Sequence, residues 1–175
     1  LLRKLCKIDG IEWIRLHYAY PAQFPEDVIE AVRDEPKICK YLDIPFQHIS
    51  DRQLKSMRRG VTKKQVYDLI EKLRTEIPDI ALRTTLLTGY PGESEEDFAE
   101  LLEFVEKVRF ERLGVFPYSE KEGTYSAESL KDDVPDPIKQ QRADTLMELQ
   151  NRISTENNRR RIGHCERIII DRRED

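Results

Sequence analysis

Charged and polar side chains alternate with apolar ones along four short segments of the chain, and this alternation is the first sign of a binding site. The segments are residues 13–20, 40–47, 80–89 and 111–119. Successive strand residues point to opposite faces, so each segment would keep its apolar residues on one face of a sheet. The opposite face would carry a second set: Arg15, His17, Asp43, Gln47, Arg83, Thr85, Phe116 and Tyr118.

Such a polar face has a chemical consequence. Arginine and aspartate inside a covered sheet are costly unless they pair with each other or meet a polar ligand. We therefore expect a ligand site beyond the carboxyl ends of the strands, where α/β sheets and barrels hold theirs. Other interpretations stay open: an internal Arg15–Asp43 ion pair, a hydrogen-bonded core histidine at His17, and core aromatic rings at Phe116 and Tyr118.

The turn from Gly89 to Glu93 is the second candidate. Its two glycines permit positive φ and close backbone approach, and a predicted helix begins directly after it. Helix N-termini favour anionic or strongly polar groups. The turn lacks the spacing of a Walker loop or a dinucleotide fingerprint, and a purely structural turn is the alternative.

Metal and disulfide chemistry find little support in the sequence. Cys6, Cys39 and Cys165 are far apart and form no paired motif, so we predict free thiols in a reducing compartment and no metal ligand. The net charge of −4 gives no overall nucleic-acid footprint, and the Arg159–Arg161 cluster is interpreted as a solvated helix end. No apolar run approaches the roughly 20 residues of a membrane helix.

Helical patterns separate the four segments. We predict helices over PEDVIEAVRDE, over SDRQLKSMRRG, from Thr62, after Ser94 and over residues 137–161, with Ser50, Thr62 and Ser94 as N-caps. Alternating strands and helices predict an α/β fold with a parallel sheet and outer helices. Four units are too few to close an ordinary barrel, so the chain is either part of a larger barrel or a small open sheet.

Several motifs together resemble the radical S-adenosylmethionine (SAM) methylthiotransferase family. They are WIRLHYAYP, YLDIPFQHIS, SMRRGVTKKQ, LRTTLLTGYPGESEEDF and FPYSEKEGTYSA, and they follow the family's order over nearly the whole chain. The spellings YAYP and PFQHIS are similar to the branch that methylthiolates an aspartate of small ribosomal subunit protein twelve. The transfer-RNA branch typically has S-H-P and P-x-Q-S-G-S at these places.

The resemblance implies an architecture. Residues 1–135 would be the C-terminal part of a radical SAM (β/α) barrel, containing its strands three to six. Residues 136–162 would form a linking helix, and residues 163–175 would be the first strand of a truncated TRAM β-domain. Both chain ends are expected to be cut within a longer protein.

The resemblance also implies a chemistry: SAM and two 4Fe–4S clusters transfer a methylthio group to an aspartate β-carbon of a cytoplasmic ribosomal protein. The family's C-x-x-x-C-x-x-C motif is absent from this chain, so we expect no catalytic residue or cluster ligand here and no activity from the chain alone. The electron donor is left open. The alternatives are the same chemistry on a transfer-RNA adenosine and a non-catalytic protein-binding module.

Finally, the resemblance implies roles for the polar face in binding SAM. Gln47 and Arg83 would bond its polar groups, and the guanidinium fork of Arg83 suits the carboxylate. Thr85 stands where many relatives carry an aspartate, which puts a charged ribose contact in doubt. The remaining expected cofactor-binding residues are Arg15, His17, Asp43, Gly89 and Glu93, with Phe116 and Tyr118 near adenine.

Overall fold

A computed structural model describes residues 1–165 and 167–168. Its sheet has three parallel strands in the order β1 (Tyr41–Asp43), β2 (Ala81–Thr88) and β3 (Arg112–Pro117). The helices are α1 (Leu2–Leu5), α2 (Glu26–Asp34), α3 (Asp51–Ser56), α4 (Lys63–Glu76), α5 (Glu95–Val108), α6 (Tyr125–Ser129) and α7 (Asp136–Arg159). The predicted α/β fold with a parallel sheet is confirmed, and α6 lies in a region predicted to be a loop.

The prediction of a regular first strand at residues 13–20 is wrong. This segment runs beside β1 but makes only one isolated parallel bridge, between Ile14 and Ile38, and one further bond from the Ala19 N–H to the Asp43 carbonyl (2.7 Å). Tyr18 has a φ of 66°, which interrupts an extended backbone. The predicted faces still hold, because Ile14 and Leu16 pack on the core.

Strand β2 shows the predicted alternation most clearly. Leu82, Thr84, Leu86 and Thr88 are buried, whereas the residues between them are partly exposed. Leu86 packs with Phe46, Phe104 and Phe110 in the core that the helices cover. The sheet therefore has one face sealed by helices and one face open, and the open face carries the predicted polar residues of β2.

Side-chain caps begin the two long helices that flank β2. Thr62 and Gln65 form a capping box at α4, and Ser94 and Asp97 form another at α5. Ser50 stands at the N-cap position of α3, as predicted, but its hydroxyl donates to Asp97 across the structure (2.5 Å). Burial alone would raise the pKa of Asp97, but hydrogen bonds from Ser50, the Ser94 N–H and Arg52 outweigh it and lower that pKa to about 2.

Helix α7 begins at the carboxyl end of the sheet and runs back towards the amino end of β3, packing on β3, β2 and α5. Its Gln150 donates to the Phe110 carbonyl (2.9 Å), and the Lys139 carbonyl accepts from Thr88 (3.0 Å). None of the described helices is both long enough and apolar enough to cross a membrane. The predicted TRAM strand lies mostly outside the described residues; residues 163–165 and 167–168 form no strand.

Gly89 is the tightest point between β2 and α7, and it gives a stability prediction. A Cβ at Gly89 would lie 2.1 Å from Cγ and 2.9 Å from Cβ of Lys139, and its φ is 69°. We expect Gly89→Ala to add roughly 1–3 kcal/mol of overpacking to about 1 kcal/mol of backbone strain. Urea unfolding would measure the combined loss of unfolding free energy.

Gly123→Ala is the matched control, because Gly123 has a φ of 75° and nothing within 4 Å of the added Cβ. It should show the strain alone. Equal losses of unfolding free energy in the two variants would contradict the packing explanation.

Candidate functional site

The centre of the open face is a pair of opposite charges on neighbouring strands. Nη1 of Arg83 donates to both carboxylate oxygens of Asp43, at 2.8 and 2.7 Å. The Asp43 side chain is only 2% exposed, so the pair compensates a charge that burial would otherwise penalise. An arginine–aspartate ion pair was one of the open interpretations, but its arginine is Arg83 and not Arg15.

The polar residues of the irregular first segment lie around this pair. Nδ1 of His17 is 3.5 Å from Asp43, and its imidazole is largely exposed, so the core-histidine interpretation is wrong. Arg15 is exposed and stacks on the ring of Tyr41, with 4.9 Å from Cζ to the ring centroid. The side chains of Arg83, Asp43 and His17 thus meet at one place, and Arg15 stands beside them.

Several hydrogen-bonding groups on the open face are unused within the described part of the chain. They are Nη2 of Arg83, the side-chain amide of Gln47 and the hydroxyl of Thr85. Nη2 of Arg83 would lie 3.6 Å from a Cβ on Gly114, so the missing side chain there leaves room beside the guanidinium. The ring of Phe116 is 57% exposed on the neighbouring strand. This arrangement can bind a ligand with an anionic end and a flat apolar end.

Hydrogen bonds to the buried side chain of Glu93 stabilise the turn from Gly89 to Glu93. One oxygen of Glu93 accepts from the Gly89 N–H (3.0 Å) and from Arg142 of α7 (2.6 Å), and the other lies 3.3 Å from Nε2 of His48. Nδ1 of His48 accepts from two backbone N–H groups, of Ile49 and Ser50, so Nε2 carries the proton and donates. The Glu93 side chain is fully buried, and its visible role is to hold this end of the sheet together.

Tyr118 is not on the open face with Phe116. Strand β3 ends at Pro117, so the two-residue alternation stops before Tyr118. Its ring is buried against Tyr90 (5.2 Å between centroids) and the ammonium of Lys139 (5.4 Å). The expectation that Tyr118 shares a surface with Phe116 is therefore corrected, whereas Phe116 lies where it was predicted.

Two arginines missed as site residues lie at the carboxyl end of the sheet. Arg58 and Arg59 line a pocket of about 280 Å³ with Gln47, Tyr90 and Tyr125, which we call the arginine pocket. In the sequence they fall in SMRRGVTKKQ, which was interpreted as helical and as part of the family resemblance but was given no site residue. No cluster of three or more metal-binding side chains occurs among residues 1–165 and 167–168.

The Glu93 network gives a second prediction. Glu93→Gln should lower the free energy of unfolding by roughly 3–5 kcal/mol, because it leaves the buried Arg142 without its enclosed carboxylate partner. Glu95→Gln is the control: Glu95 also pairs with Arg142 at 2.6 Å but is 79% exposed, so we expect a loss below about 1 kcal/mol. Chemical denaturation followed by circular dichroism would separate them, and equal small losses would contradict a structural role for Glu93.

Comparisons with known proteins identify the family of this chain. The model of the radical SAM superfamily matches residues 1–105. Two proteins named ribosomal protein uS12 methylthiotransferase RimO are each 55% identical to this chain. The one from Porphyromonas gingivalis matches over 175 residues, 100% of this chain and 40% of that protein. The one from Bacteroides fragilis matches over 172 residues, 98% of this chain and 40% of that protein.

A solved structure, coproporphyrinogen III oxidase (HemN) from Escherichia coli, described as a radical SAM enzyme, matches with a TM-score of 0.62 and 21% identity. The match covers 82% of this chain and 32% of that one, and it supports the fold. The chain spans about 40% of the length of the curated relatives that it matches. Since the superfamily model covers more than half of its 175 residues, the chain belongs to the radical SAM superfamily.

Proposed function

We propose that this chain is part of a radical SAM methylthiotransferase that modifies the β-carbon of an aspartate in ribosomal protein uS12. The observation that carries the proposal is 55% identity, over all 175 residues, to a protein named for this activity. Relatives from Bacteroides fragilis (55% identical) and Phocaeicola vulgatus (53% identical) bear the same name, and nothing observed in the described residues favours a transfer-RNA substrate or a non-catalytic module.

SAM is the cofactor that the superfamily implies, and the open face has groups that fit it. The unused Nη2 of Arg83 would bind the SAM carboxylate, and the amide of Gln47 and the hydroxyl of Thr85 would bond its other polar groups. Phe116 offers an exposed ring near which adenine would lie. Together with an iron–sulfur cluster, SAM supplies the radical chemistry that activates a C–H bond.

The chain's own residues bind and orient in this proposal. Asp43 fixes the orientation of the Arg83 guanidinium, because both carboxylate oxygens of Asp43 accept from Nη1 of Arg83. Nη2 of Arg83 is left free for a ligand. The covered face of the sheet excludes water from beneath the site through Leu42, Leu82 and Leu86. Of the other expected cofactor-binding residues, Arg15 and His17 stand at the rim, and Gly89 and Glu93 shape the turn beyond β2.

The finer architecture belongs to the same proposal. Residues 1–135 would contribute strands three to six of the barrel, with the irregular segment at residues 13–20 in the third place. Residues 136–162 would link the barrel to a TRAM domain that begins at residues 163–175. Two 4Fe–4S clusters would be held by residues outside this chain, and the enzyme would act in the cytoplasm.

SAM affinity tests the role of Arg83. In the complete protein, Arg83→Lys keeps a charge near Asp43 but loses the guanidinium fork, so we expect SAM to bind about 10-fold more weakly. Equilibrium dialysis with labelled SAM would measure it. Arg152→Ala on the exposed side of α7 is the control and should bind normally. Unchanged affinity in Arg83→Lys would remove Arg83 from the site.

The proposed activity has a direct test. The complete protein is reconstituted anaerobically with iron, sulfide, reductant and SAM, and is offered ribosomal protein uS12 and transfer RNA in parallel. We expect mass spectrometry to find a methylthio group on an aspartate of the protein. A gain on adenosine alone, or on neither substrate with both clusters intact, would overturn the proposal.

A further inference from the structure

The arginine pocket lies beside the proposed SAM site and shares Gln47 with it. Gln47 follows β1 and bridges to Leu86 of β2, Tyr90 follows β2, and Tyr125 comes after β3. The pocket is therefore built at the carboxyl ends of all three strands. Gln47 borders both the pocket and the open face, so a group bound in the pocket would be a direct neighbour of SAM.

Arg59 is held rigidly at the wall of this pocket. Its Nη2 donates to the Pro45 carbonyl (2.6 Å), and its Cζ lies 5.1 Å from the ring centroid of Tyr20. The Tyr20 hydroxyl in turn donates to the Arg59 carbonyl (2.5 Å). Nε of Arg59 is buried without a hydrogen-bond acceptor among the described residues. The guanidinium is fixed in this way while part of its hydrogen-bonding capacity stays unused among the described residues.

Arg58 also lines the pocket and is exposed, with its Cζ 3.3 Å from the ring centroid of Tyr125. Within the described part of the chain it makes no ion pair or hydrogen bond through its side chain. Its backbone has a φ of 55°, and that of Gln47 has a φ of 70°. Two non-glycine residues in the left-handed region at one pocket are costly conformations, of a kind that concentrates at ligand sites.

The charge and size of the pocket restrict its ligand. Among the described residues no aspartate or glutamate lines it, although the chain has 34 acidic residues, so two arginines line the pocket without a carboxylate beside them. Burial raises the pKa of Tyr90, and its hydroxyl donates to the Ser56 carbonyl (3.5 Å). The volume of about 280 Å³ is below the roughly 300–1,000 Å³ typical of whole small-molecule ligands. A single small anionic group, such as a side-chain carboxylate, fits these properties.

We propose that the arginine pocket binds the side-chain carboxylate of the aspartate that the enzyme modifies, with Arg58 and Arg59 as the residues that distinguish aspartate from asparagine. This inference rests on the proposed function. Bidentate guanidinium contacts favour a planar carboxylate over a neutral amide. Holding that carboxylate would place the β-carbon one bond away at the border with the SAM site.

The test is peptide binding to the complete, cluster-loaded protein. Fluorescence anisotropy would compare a peptide spanning the target segment of uS12 with the same peptide carrying asparagine at the target position. We expect Arg58→Ala to weaken the aspartate peptide about 10- to 100-fold and the asparagine peptide less than about 3-fold. SAM affinity should not change. Arg112→Ala, an exposed arginine at the opposite end of β3, is the matched control and should leave both peptides unaffected.

Arg58→Lys provides a second variant, which keeps the charge and should restore only part of the discrimination. Circular dichroism would confirm that each variant is folded. Equal weakening of both peptides, or none, would overturn the pocket's role. A loss of SAM affinity would assign the pocket to the SAM carboxylate, and weaker binding of transfer RNA with unchanged peptide binding would assign it to a phosphate. Either result overturns the inference.

The two proposals fail in different ways. If the unaltered enzyme methylthiolates uS12 while Arg58→Ala still prefers the aspartate peptide, only the pocket assignment is wrong. If the unaltered enzyme does not modify uS12, the proposed function fails, and the substrate assigned to the pocket fails with it.

Discussion

The buried carboxylate of Glu93 is the interaction on which the carboxyl end of the sheet depends. A charge with no exposed surface needs complete compensation, and Glu93 receives it from Arg142 of α7, from the Gly89 N–H and from His48 after β1. These donors come from three separate parts of the chain. Their convergence fixes where β2 turns, where α7 packs and how the segment after β1 leaves the sheet.

The Glu93 network also positions residues that are proposed to bind ligands. Gln47 directly precedes His48, so the residue between the open face and the arginine pocket is placed by the histidine that Glu93 holds. The close approach of Lys139 to Gly89 has the same origin, because α7 is drawn against the turn by Arg142. The polar face can then remain open, because the apolar face of the sheet and the long helices α4 and α5 already form the buried core.

Part of this arrangement follows from the sequence. Alternation along β2 predicted its two faces correctly, and the capping boxes at Thr62 and Ser94 predicted where two helices begin, because both signals are local. The pairing of Asp43 with Arg83 was only partly predicted. The two-residue alternation of side chains along a strand shows which residues share a face. Which arginine pairs with Asp43, Arg15 or Arg83, depends on strand register, and residues 13–20 do not join the sheet as a strand.

Glu93 was predicted as a site residue, but its contacts with His48 and Arg142 were beyond prediction for a different reason. They are separated by 45 and 49 residues, and each is unremarkable in its own segment. Arg58 and Arg59 belong with them, since a cation in a helical run normally finds solvent or an acid one turn away. Here the helical run ends with Arg58 in the left-handed region, and both arginines line a pocket that has no acidic side chain from the described part of the chain. The expectation that a helix-end cation meets solvent or an acid one turn away therefore does not predict this pocket. Such conflicts between local pattern and global fold are expected at functional sites.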